Sequence, residues 1–106
     1  MLYYDFEAGN KAYKLRLNTR NIVQLEKALG CNPLSIFGDG TTIPPVTQMV
    51  AVLHASLQQY QHNMTLDAAY AIFDDYLEDH QMTDFLAVII EIYKVSGLMK
   101  VESEKN

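Results

Sequence analysis

The chain has one cysteine and no tryptophan in 106 residues. A single thiol cannot close an internal disulfide, so the fold depends on its own core, as suits a reducing cytoplasm. Long apolar runs are also missing, and no stretch approaches the roughly 20 residues that span a bilayer. The opening MLYYDFEAGN carries acids and no basic segment, so it does not read as a secretory leader. Most telling is the absence of one charge sign. From Pro45 to Tyr93 there are seven acids and no lysine or arginine. Such a stretch repels phosphate, which argues against nucleic acid as a partner for that half.

What is present fits one domain, residues 1–106. The 49% hydrophobic content is that of a globular chain, and this length buries about two-thirds of its unfolded surface. Residues 1–17 predict a β-hairpin turning at Gly9-Asn10. Pairing Ala8 with Lys11 sets Phe6 opposite Tyr13, Tyr4 opposite Leu15 and Leu2 opposite Leu17. That face is apolar and should meet the helices. The other face sets Asp5 against Lys14, and Tyr3 against Arg16 in a cation–π arrangement.

Residues 18–97 predict helices. Asn18 or Thr19 caps the first, whose buried stripe is Ile22, Leu25 and Leu29, and Gly30 ends it. Asn32 to Phe37 can add one helical turn, and Gly38 to Pro45 is a turn-rich loop. The next helix starts at Pro45 and carries Val46, Met49, Val50, Leu53, Leu57 and Tyr60 on one face. Thr65 caps a third, with the stripe Leu66, Ala69, Phe73, Tyr76 and Leu77, and Thr83 caps the last. Residues 98–106 read as a flexible tail. The fold class is therefore α+β, an N-terminal antiparallel hairpin packed on a bundle of about four helices.

No residue set carries evident chemistry. Asp75, Glu78 and Asp79 share a helical face next to His80, but follow no cation-loop spacing and read as a solvated face. His54, His62 and His80 show no metal-ligand spacing. Cys31 has no histidine nearby in sequence to activate it, and is expected to be partly buried as a small apolar residue. Lys11, Lys14, Arg16 and Arg20 read as a solvated patch on the hairpin and helix start. There is no Gly-rich phosphate loop and no nucleophile–base pair. The expectation is a protein without enzymatic activity, cofactor or metal.

One feature exceeds what a core requires. In the last helix apolar residues run nearly all the way round, interrupted only by Glu91 and Lys94. Either this helix is central, or one face awaits a partner. For the second case the face of Leu86, Ile90 and Tyr93 is the expected protein-binding and self-association surface, which makes a homo-oligomer the expected state.

The stretch YKLRLNTRNIVQLEKALGCNPL, Tyr13 to Leu34, resembles the start of the tail assembly chaperones of long-tailed bacteriophages and prophages. Those proteins run a strand ending in Leu-x-Leu into a Thr-capped helix with Leu-Glu-Lys, closed by Leu-Gly and followed by Asn-Pro-Leu. The matching positions are Leu15, Leu17, Thr19, Leu25, Glu26, Lys27, Leu29, Gly30, Asn32, Pro33 and Leu34. The resemblance implies a protein of the bacterial host cytoplasm that coats the aggregation-prone tape measure protein during tail tube assembly. It would then be absent from the mature virion, with no membrane or nucleic-acid partner. It also implies a longer form made by −1 frameshifting that engages the tail tube protein. Glu104-Lys105-Asn106 can be encoded by a slippery heptamer. The competing readings are a minor phage structural protein, such as a tail-completion or head–tail joining subunit, and a small DNA-binding regulator.

Overall fold

The structure, a computed structural model, describes residues 2–40 and 42–100. Two strands, β1 (Tyr4–Ala8) and β2 (Lys11–Leu15), precede helix α1 (Thr19–Leu29) and a 3-10 turn (Pro33–Phe37). Three further helices follow: α2 (Val46–Leu57), α3 (Leu66–Leu77) and α4 (Asp84–Val95). The fold is α+β, with the hairpin laid against the helices.

The hairpin has the register that its alternation predicts: Ala8 opposite Lys11, Phe6 opposite Tyr13, Tyr4 opposite Leu15. Gly9 takes φ 64° and Asn10 stays at negative φ. That is the pattern of a type II′ turn, whose twist matches paired strands. Phe6, Ala8, Leu15 and Leu17 are buried, and Tyr4 and Tyr13 are half-buried against the core. Leu2 departs from the expectation at 67% exposed. The paired strand begins only at Tyr4, so ladder pairing does not turn the Leu2 side chain toward the helices.

The expected Tyr3–Arg16 contact is also replaced. Lys14 Nζ sits 5.0 Å from the centre of the Tyr3 ring. The Arg16 guanidinium instead donates to the backbone carbonyls of Leu2 and Val95 at 2.8 and 2.9 Å. Arginine's fork can hold two carbonyls at once, which here joins the hairpin to the end of α4.

Asn18 caps α1 through a reciprocal pair with Asn21. Asn21 N–H donates to Asn18 Oδ1 at 2.9 Å, and Asn18 N–H donates to Asn21 Oδ1 at 3.3 Å. This capping box satisfies two amides that the helix itself cannot. Thr65 caps α3 as expected, its hydroxyl accepting from Ala68 N–H at 3.0 Å. Thr83 does not cap α4. Its φ and ψ of −64° and −26° are already helical, whereas a capping side chain needs an extended backbone. The bond there runs from Gln81 N–H to Asp84 Oδ2 at 2.8 Å.

The central helix is α2, not α4. Met49, Val50, Val52, Leu53, Ala55, Ser56 and Leu57 are all buried, between α1, α3, α4 and β2. The small side chains of Ala51, Ala55 and Ser56 let neighbouring backbones approach. Ser56 hides its hydroxyl by donating to the Leu53 carbonyl at 3.0 Å. The expected one-sided stripe on this helix is therefore too narrow. Val46 is exposed, and Tyr60 lies beyond the helix. Past α4, Leu98 and Met99 pack on the core, and Leu98 N–H donates to the Tyr93 carbonyl at 2.9 Å. The start of the expected tail is thus held, while 101–106 lie outside the described residues.

Candidate functional site

Of the residues expected to form a docking face on α4, Leu86 and Ile90 are half-buried on its outer side. Tyr93 is not on the surface at all. It is fully buried, its hydroxyl donating to the Pro33 carbonyl at 3.0 Å and its ring edge-on to Phe37 at 5.7 Å. Leu86 and Tyr93 do fall on one angular stripe of the helix, seven residues apart. The stripe is simply covered at its C-terminal end by the Pro33–Phe37 turn. The core side of α4 is Phe85, Val88, Ile89 and Ile92.

Burial, with Cys31 close by as a lesser cause, pushes the Tyr93 phenol well above its ordinary range. Tyr76 is pushed up to about 12 by burial, then by the nearby Asp84 and Tyr4. Its ring stacks on His80 at 4.2 Å, nearly parallel. Neither phenol is poised for proton transfer near neutrality. Cys31, directly after the left-handed Gly30 that ends α1, is exposed, contrary to expectation. Among the described residues no group of three or more His, Cys, Asp or Glu is placed to hold a metal ion. No helix among them is long and apolar enough to cross a membrane.

Two grooves stand out among the described residues. One, of about 480 Å³, lies between α1 and α2, with Leu25, Ala51 and Ala55 at its floor and Arg20, Gln24, His54 and Gln58 around it. His54 Nε2 lies 3.1 Å from the Met64 carbonyl, so that nitrogen is committed to the backbone when protonated. The other groove, of about 520 Å³, follows β1 and is lined by Tyr4, Asp5, Phe6 and Glu7, by Ala12 of β2, and by Tyr76, His80 and Val88 from the helices. Sequence reading missed both. The second had a signal, because an alternating acidic and apolar strand in a two-stranded sheet always has an outer edge.

The strand-to-helix corner can be read residue by residue. Leu15, Leu17 and Leu25 are in the core and Pro33 is buried. Gly30 makes the left-handed cap, and Asn32 accepts from Leu34 N–H at 2.9 Å to start the 3-10 turn. Glu26 and Lys27 are exposed, and Leu34 is 39% exposed. The motif is largely architecture, with Thr19, Glu26, Lys27 and Leu34 left on the surface and the exposed Asn32 engaged in its cap.

No curated protein and no solved structure matches the chain. A family model described as a family of unknown function, DUF6096, matches residues 5–106. That match covers nearly the whole chain, and the protein belongs to the DUF6096 family.

Proposed function

We propose that this protein is a tail assembly chaperone of a long-tailed phage or prophage. It would hold the tape measure protein soluble while the tail tube polymerises. The observation that carries the reading is the corner from Tyr13 to Leu34, whose motif residues build a scaffold and not a reactive centre. Leu15, Leu17, Leu25 and Pro33 are buried there, and the caps at Asn18, Gly30 and Asn32 fix its path.

The surface supports a binding role. Leu86 and Ile90 remain half-covered on α4, and Leu66 and Tyr70 are exposed on α3. Apolar side chains of this kind can engage a long helical client without any chemistry. The acid-only helical half keeps such a complex soluble by its charge. The frameshift expectation at Glu104-Lys105-Asn106 falls outside the described residues and rests on the gene sequence.

Co-expression with the neighbouring long coiled-coil gene, followed by pull-down through a tag on this chain, tests the proposal. Stoichiometric recovery of the soluble coiled-coil protein is the expected result. Failure to recover it, or finding this chain in purified particles, would replace the chaperone reading with that of a structural subunit.

A further inference from the structure

A two-stranded sheet has two outer edges, and this fold treats them differently. The two-residue turn makes Ala8 and Lys11 the closing hydrogen-bonded pair. The backbone N–H and C=O groups of Asp5 and Glu7 on β1, and of Ala12 and Lys14 on β2, therefore point away from the ladder, as do those of Arg16 just beyond it.

On the β2 side the central groups, both of Lys14 and the N–H of Arg16, are met. The Gln61 side chain clasps Lys14, accepting from its N–H at 2.8 Å and donating to its carbonyl at 2.9 Å. Arg16 N–H donates to the Ser56 carbonyl at 3.0 Å. On the β1 side, among the described residues, no third strand and no loop backbone meets Asp5 or Glu7.

The groove of about 520 Å³ runs beside this open edge. Its chemistry alternates with the strand. Asp5 and Glu7 are exposed and acidic, while Tyr4 and Phe6, with Tyr76 and Val88 from the helices, form an apolar wall. Asp84 and Glu91 stand near the Tyr76 and Tyr4 phenols and add negative charge on the helix side. Lys94 offsets Glu91 in part, at 3.8 Å. Lys11 and Lys14 belong to β2, one strand further from the open edge.

We propose that β1 takes on, as a third strand, an extended partner segment in which basic and apolar residues alternate. Its backbone pairs with the outward groups of Asp5 and Glu7. Its basic side chains lie beside the two carboxylates, and its apolar side chains enter the groove. A second copy of this chain is the wrong occupant. Pairing β1 symmetrically with another β1 sets carboxylate against carboxylate, which is destabilising. The acids thus both bar self-pairing and select the partner. This inference stands on the sheet edge and does not depend on the proposed function.

The test uses the full chain, isotopically labelled, and a capped octapeptide of alternating lysine and valine. Slowed hydrogen exchange at the Asp5 and Glu7 amides, with little change at the already clasped Lys14 amide, is the expected result. A matching peptide with glutamate for lysine should bind at least about tenfold more weakly. Glu7→Pro removes an outward N–H and no ladder bond, so it should abolish binding. The double variant Asp5→Lys, Glu7→Lys should prefer the glutamate peptide, and it decides the matter if the proline variant does not fold. Equal binding of the two peptides, or no protection at Asp5 and Glu7, would overturn the proposal. So would protection that appears without peptide and grows with protein concentration, which would mean a second copy.

Discussion

The hydroxyl of Tyr93, in the last helix, donates a 3.0 Å hydrogen bond to the carbonyl of Pro33, sixty residues earlier in the chain. The bond ties the end of α4 to the turn that follows α1. Removing only the hydroxyl takes one of two donors from a carbonyl that the 3-10 turn still engages, so the loss is that of an ordinary hydrogen bond, about 0.5–1.5 kcal/mol. Tyr93→Phe should lower unfolding free energy by that amount. Tyr93→Ala, which also opens a cavity, should cost about 3–5 kcal/mol. Urea denaturation followed by circular dichroism measures both. Equal stability of wild type and Tyr93→Phe would show that water replaces the bond.

Alkaline pH should destabilise the fold through its buried tyrosines. A free tyrosine loses its proton near 10.0, whereas folded Tyr76 holds its proton to about 12 and Tyr93 is raised as well. Below the free value both states are protonated, and this stabilisation is fully present. Above it the unfolded chain releases protons that the folded chain keeps, so stability falls as pH rises from about 10 to about 12. Denaturant midpoints across that range should decline, and Tyr93→Phe should decline less steeply. A flat profile would mean that these phenols reach solvent.

Gln61 acts as a substitute strand for β2. Gln61→Ala removes both bonds to Lys14, at a site where water can partly replace them, so a loss of about 1 kcal/mol is expected. The sharper readout is local. The Lys14 amide should exchange faster in the variant, while the amide of Phe6, inside the ladder, should change little. Uniform acceleration along the hairpin would instead mean that Gln61 holds the whole sheet in place.

The half-covered face of α4 bears on the proposed client. Ile90→Asp places a charge where an apolar partner would sit, and loss of an interface-centre contact typically costs about 2 kcal/mol. Because Ile90 is only half-buried in the free chain, the variant should fold. It should recover much less tape measure protein in the co-expression assay. Undiminished recovery with an intact melting curve would move the client surface elsewhere, to Leu66 and Tyr70 on α3 first.

The hairpin register was legible because two constraints agreed: the turn at Gly9-Asn10 and the split of Phe6 and Leu15 from Asp5 and Lys14 onto opposite faces. Helix starts were legible where an extended residue with a short polar side chain stood before the helix, as at Asn18 and Thr65. Thr83 misled because its type suits a cap while its backbone is already helical.

Which helix is central was not legible. Both α2 and α4 are apolar around most of their circumference, and only the packed neighbours decide which is enclosed. Tyr93 failed as a surface residue for the same reason, since a turn sixty residues away covers it. The β1 groove needed the fold as well, because a strand's sequence does not say which of its edges another segment will occupy.

The clasp between Lys14 and Gln61 spans 47 residues of chain. Synthesis runs from the N-terminus, so the hairpin is made well before the side chain that closes its second edge. A hairpin by itself is at best marginally stable in water, and Ser56, which meets Arg16, also belongs to that later stretch. Until α2 has been translated, both sides of the nascent sheet are open to other strands. A chain released before Gln61 is made would therefore present its hairpin with both edges unpaired, the form that other strands can join.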